Sequence, residues 1–225
     1  MKNTIQYPQK IKKLFNALKK GAEKPKKPAS SDLIEAIIFA ALSQNCPESS
    51  AKAAFKKIQS HFTDYNDLRV ARREEIVEVI GSDITDAAKT ADTIISLLNA
   101  VFQKYDCLAP EDFAGAGKKN ARDILEKFNG MTPFICSYVM LTVLSAHAVP
   151  LTEKMVEYLK ANDLIDPQLD NAQAASFIEK QISASNAYAF YSAIRHDSEL
   201  ANPKAAAILS ESKKTAAVTK AKSKK

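Results

Sequence analysis

The stretch "KFNGMTPFICSYVM", residues 127–140, is a short apolar turn between two segments of helical pattern. Ile124, Leu125 and Phe128 lie at helical spacing and form the apolar face of a first helix. Asn129-Gly130 ends it, with Gly130 free to take the positive φ that such a turn requires. Thr132 is a suitable N-cap, and Pro133 falls at the first helical position, where its missing N–H costs nothing. A second helix then runs through Cys136, Val139 and Met140. The first-turn N–H groups of that second helix have no partner within the helix, so the turn is an anion site by construction. An ordinary corner between two antiparallel helices would read the same way on this stretch alone. The segments on either side of the turn distinguish the two.

Upstream, residues 31–43, "SDLIEAIIFAALS", begin with Ser31 or Asp32 as N-cap and then run apolar, as a buried helix does. Helical spacing continues in "SSAKAAFKKIQSHF", in "REEIVEVIG" with Gly81 just past its end, and in the long amphipathic "ITDAAKTADTIISLLNAVFQKY". Downstream follow "TEKMVEYLKAND", "NAQAASFIEKQI" and "NAYAFYSAIRHDS". No segment alternates with period two between strand-type turns, so the chain reads as all-α with about nine or ten helices.

The 225 residues suffice for one large or two small domains. There is no glycine-rich phosphate loop of either common kind, no apolar run near the ~20 residues of a membrane span, and no apolar region typical of a secretory signal. Cys46, Cys107 and Cys136 are odd in number and far apart, which points to reduced thiols in a cytoplasmic protein and to no metal-ligand spacing. Charge is distributed unevenly. Residues 1–28 hold nine lysines and one glutamate, residues 200–225 seven lysines and one glutamate, and the chain as a whole is +6, which leaves −8 for residues 29–199. The final stretch, with Lys213, Lys214, Lys220, Lys222, Lys224 and Lys225 among Ala, Ser and Thr, is expected to be disordered alone and to bind polyanions without sequence choice.

With these segments in place, the chain resembles the helix-hairpin-helix DNA glycosylase superfamily that includes endonuclease III. The family turn reads roughly L-P-G-V-G-x-K-T-A; here residues 128–136 read Phe-Asn-Gly-Met-Thr-Pro-Phe-Ile-Cys. The family's apolar-Pro-Val-Asp segment is matched by "HAVPLTEKMVEYLKANDLI", its helix ending in L-S-x-Q by "LIEAIIFAALSQNCPESSAKAAFKKI", and its late helix ending in I-R-H-G by "AYAFYSAIRHDS". Four landmarks in order over residues 31–199 are more specific than any one of them.

The departures bear on chemistry. Bifunctional relatives place a catalytic lysine where this chain has Phe134, and a phenyl ring cannot form a Schiff base. The family's aspartate is matched by Thr152, which carries no charge and is a poor base. Glu153 is the adjacent substitute. The hairpin's second glycine is Thr132, which crowds an approaching phosphate. No cysteine follows Arg195-His196, so an iron–sulfur cluster at the family site is excluded on ligand grounds.

The resemblance implies an endonuclease III-like two-domain helical fold without an iron–sulfur cluster. A basic arm is expected at residues 1–28, a core at 29–199 and a disordered tail at 200–225. Within the core, a continuous six-helix domain is expected at about 45–142, and a second domain from about 29–44 plus 143–199. It also implies that Gly130, Met131, Thr132 and Pro133 hold a phosphate, and that Gln44 or Asn45 is the amide that fills the gap left by a flipped base. The alternative for that amide is a helix C-cap. His147 reads either as a cleft-lining group or, more commonly for a lone histidine, as structural, and Arg195-His196 either touches phosphate or pairs with Asp197 or Glu199; Tyr188, Phe190 and Tyr191 read as core, and Arg69, Arg72 and Arg73 as a solvated face beside Glu74 and Glu75.

The expected function is non-specific binding of duplex or damaged DNA by a monomer of the cytoplasm or nucleoid. It has impaired catalysis and no metal, small-molecule cofactor or membrane partner. Two alternatives stand beside it: a monofunctional DNA glycosylase that uses Glu153 or another carboxylate, and a protein-interaction module on the same fold.

Overall fold

The structure is a computed structural model; it describes residues 6–21, 32–110 and 112–200. Its described residues form α-helices and one short 3-10 turn, with no strand among them. The chain divides into two compact units, one ending at Thr152 and the other joining the N-terminal helix to everything described from Glu153 onward.

The continuous unit contains α2 (Leu33–Ser43), α3 (Glu48–His61), α4 (Tyr65–Val70), α5 (Arg73–Ile80), α6 (Ala87–Tyr105), α7 (Asp112–Gly115), α8 (Lys118–Leu125) and α9 (Pro133–Thr142). Asp32 caps α2 by accepting from the Glu35 N–H at 2.9 Å, which decides between the two candidate caps. Nine of the eleven residues of α2 are buried, as expected of a helix that is apolar all round, and it packs on α3, α6 and α9. This differs from the sequence-based division, which put residues 29–44 with the C-terminal helices. The physical reason is that α2 has no polar face to spare, and the helices that cover it belong to residues 48–142. Gly81 closes α5 at φ +79°, a positive φ that glycine adopts readily, as its position suggested.

The second unit contains α10 (Glu153–Ala161), α11 (Asn171–Gln181), the 3-10 turn Ala184–Asn186 and α12 (Ala187–Glu199), together with an N-terminal helix, α1 (Tyr7–Gly21). Within the expected basic arm, residues 7–21 thus form a packed helix. Tyr7, Ile11, Leu14, Phe15 and Leu18 recur at helical spacing, are all buried, and pack on α11 and α12, with Phe15 edge-on to Phe190 at 5.6 Å. α11 is held by a complete capping box between Asp170 and Gln173. Beneath it, the Tyr158 hydroxyl donates to the buried Asp197 carboxylate, and Arg195 pairs with Glu199. Burial first, and that hydrogen bond next, push the Tyr158 phenol far above its ordinary range.

Candidate nucleic-acid interface

The turn between α8 and α9 is fixed on two sides. Gly130 sits at φ +86°, a conformation that side chains with a Cβ rarely adopt. A Cβ placed there would lie 3.3 Å from Ser96 Cβ and 3.6 Å from the Thr93 carbonyl, so the turn backbone lies directly on α6. The neighbouring Asn129 donates through Nδ2 to Ser96 Oγ at 2.9 Å. On the far side, Thr132 is the N-cap of α9 and accepts from the Ile135 N–H at 3.2 Å. Its hydroxyl proton goes to Gln44 Oε1, so the loop after α2 is tied to the hairpin 88 residues away. The Met131 N–H closes the turn onto the Phe128 carbonyl at 3.0 Å, and Pro133 occupies the first helical position, exposed.

The sequence left Gln44 and Asn45 as alternatives. The structure gives them different environments: Gln44 is half-buried and engaged with Thr132, whereas Asn45 is exposed. The residue that sequence reasoning missed is Ser96, which meets both Asn129 and Gly130. Its only signal was that it is a small polar residue within an otherwise amphipathic α6.

Phe134 is 5% exposed and stands in a line of rings. It meets Tyr138 at 6.2 Å, Tyr138 meets Phe39 at 5.7 Å, and Phe39 meets Phe55 edge-on at 6.0 Å. The side chain at this position is therefore a buried packing element against Tyr138, the ring through which α9 meets α2, which in turn meets α3 through Phe39 and Phe55. Thr152 is buried at 5% exposure after Val149 and Leu151, and Glu153 is exposed in the first turn of α10. Arg69 donates to Asn99 at 3.0 Å and stacks over Phe102, and Arg73 pairs with Glu74 and Asp92. Those two arginines serve the helix surface. Lys213, Lys214, Lys220, Lys222, Lys224 and Lys225 lie outside the described residues.

The cysteines do not fit an iron–sulfur cluster. Cys46 donates to the Leu42 carbonyl, Cys136 is buried within α9 with its thiol pushed up to about 11 by desolvation, and Cys107 is exposed after α6. Three thiols in three environments are not a four-thiolate set. Among the described residues no group of three or more His, Cys, Asp or Glu is placed to hold a metal ion, and no helix is long and apolar enough to cross a membrane.

Thr132→Ala should lower stability by about 1–2 kcal/mol, because it removes the cap of α9 and the partner of Gln44 together. Thr132→Ser keeps both bonds and should stay within about 0.5 kcal/mol of wild type. Urea midpoints of the two variants check this; equal midpoints would mean that the hydroxyl contributes nothing.

Neither a protein-family model nor a curated protein matches the sequence. Solved structures do match the fold. Endonuclease III trapped as a covalent intermediate on DNA is similar at a TM-score of 0.69 and 16% identity, over 88% of this chain and 90% of that one. A thermostable thymine-DNA glycosylase follows at 0.65 and 15%, over 88% and 92%. The H. pylori 3-methyladenine DNA glycosylase bound to 1,N6-ethenoadenine gives 0.63 and 16%, over 82% and 94%. The chain has the all-helical, endonuclease III-like fold of the helix-hairpin-helix DNA glycosylases.

Proposed function

We propose that the protein binds DNA non-specifically, as a monomer associated with the nucleoid, and that it lacks the lysine chemistry of bifunctional glycosylases. The observation that supports binding is the α8–α9 turn: a glycine at positive φ wedged on α6, followed by a capped helix whose first turn carries no acidic residue. Pro133 has no N–H and that of Ile135 is taken by Thr132, so it is the Phe134 N–H, at the positive end of the helix dipole, that is left to meet a phosphate oxygen. The +8 of residues 1–28 and the +6 of residues 200–225 add sequence-independent attraction. The observation against lysine chemistry is the packing of Phe134 into the ring line. Asn45 is the better placed of the two amides to reach a partner, because Gln44 is engaged by Thr132.

Binding to plain and abasic-site duplexes, measured by fluorescence anisotropy over a range of salt, tests this reading. We expect comparable affinity for both duplexes and a steep salt slope. Absence of binding at low salt would overturn it. Deleting residues 1–28 is the wrong way to ask how much the basic ends contribute, because it would also strip α1 from α11 and α12. Neutralising Lys213, Lys214, Lys220, Lys222, Lys224 and Lys225 to glutamine avoids that problem. Borohydride trapping on an abasic duplex should give no covalent adduct within residues 127–140, and an adduct mapped there would refute the assignment of Phe134.

A further inference from the structure

We infer that the outward face of α1 is a fixed contact surface for the phosphate backbone of duplex DNA, a second site carried by the unit that does not contain the hairpin. The inference rests on the DNA-binding reading above.

The buried stripe of Tyr7, Ile11, Leu14, Phe15 and Leu18 sets which way α1 faces. Two lysines at its edges hold that orientation. Lys10 pairs with Asp163 and also donates to its carbonyl at 3.1 Å, and Lys19 donates to Asn186 at 3.3 Å while lying over the Phe15 ring. The opposite arc of the helix carries Gln9, Lys12, Lys13 and Asn16, all exposed. Lys12 and Lys13 have no ion-pair partner among the described residues, unlike Lys10. The helix contains no Asp or Glu.

Gln9, Lys13 and Asn16 follow one another along a single stripe, with Lys12 beside it. At 1.5 Å per residue the stripe spans about 10 Å, comparable with the run of a few phosphates on one strand. A basic amphipathic helix is also the pattern of a membrane-surface anchor, but that requires a free apolar face. The apolar face of α1 is occupied by α11 and α12. What remains available is charge and hydrogen-bond donors held in a fixed array, which suits a regular polyanion. Because α1 is a packed helix, its lysines are displayed without the ordering cost that a loose basic segment meets on binding.

The test uses the full chain and a duplex without lesions. Lys12→Gln/Lys13→Gln changes only exposed side chains, and unchanged far-UV circular dichroism and melting midpoint confirm that the helix stays docked. The salt slope should fall by about 1.8, that is ~0.9 per lysine, so that over a fourfold rise in salt the wild type loses roughly tenfold more affinity than the variant. Lys104→Gln/Lys180→Gln removes the same charge from exposed positions on α6 and α11 and should leave the slope within about 0.5 of wild type. An unchanged slope in Lys12→Gln/Lys13→Gln, or an equal fall in the control pair, overturns the inference while the DNA-binding reading stands. Failure of the wild type to bind duplex at all overturns that reading, and this one with it. If Lys12→Gln/Lys13→Gln instead abolishes binding to phosphatidylserine vesicles and leaves duplex binding intact, the surface belongs to a membrane and the inference is overturned.

Discussion

Phe134→Lys should destabilise the protein by about 3 kcal/mol or more, with a clear fall in the urea midpoint. Truncating a buried phenylalanine alone costs about 3–5 kcal/mol, and an ammonium placed among rings adds a desolvation cost. The Tyr138 ring at 6.2 Å offers some cation–π attraction, but it already packs against Phe39. Phe134→Met, which keeps most of the volume, should cost less than about 1.5 kcal/mol. If Phe134→Lys melts with the wild type, the ring line does not support α9 and the packing argument fails. Adding Thr152→Asp tests a different point. Both positions are buried, so a carboxylate at 152 recovers stability only if it meets the new ammonium. The double-mutant cycle measures that coupling directly, and lyase activity is worth assaying only if the coupling is favourable.

Gly130→Val is expected to have the second-largest effect, a loss of about 2–4 kcal/mol together with most of the hairpin's contribution to DNA binding. Positive φ costs a residue with a Cβ about 1–2 kcal/mol, and more when it is β-branched. Contact with Ser96 at 3.3 Å adds an overpacking cost of about 1–3 kcal/mol. Gly115→Ala is the matched control: no heavy atom lies within 4 Å of its added Cβ, and the change should be neutral or stabilise by about 0.4–1 kcal/mol. Equal midpoints for Gly130→Val and wild type would show that the turn relaxes without help from φ.

The hairpin was legible because each of its positions has a local reason. Gly130, Thr132 and Pro133 announce a turn, a cap and a helix start in three neighbouring residues, and all three occupy those places. The burial of α2 was legible from its run of apolar residues, broken only by Glu35 and closed by Ser43, but its partners were not, since a helix with so little polar face does not say which neighbours will cover it. α1 was hidden by charge. Its five apolar residues are correctly spaced, yet lysines dominate the composition of the segment and obscured the period. The Thr132–Gln44 and Asn129–Ser96 bonds join residues 88 and 33 positions apart, and no local rule relates such pairs. The role of Phe134 was half legible: the absence of an amine is plain in the sequence, while the ring line that replaces it depends on three helices meeting.

The seating of α1 on α12 also constrains the order in which the chain can fold as it leaves the ribosome. The continuous unit is complete once Thr152 has emerged, and all of its helices are near neighbours in sequence. α1 is synthesised before the continuous unit, yet the surface that covers Ile11, Leu14, Phe15 and Leu18 is not made until residues 171–199 appear. At about 5–20 residues per second, that apolar stripe stays uncovered for on the order of ten seconds or more. During that interval the nascent chain presents a sticky amphipathic helix beside a finished globule. Its lysines and the absence of any carboxylate then act as a gatekeeper against self-association, because like-charged α1 segments on neighbouring nascent chains repel one another.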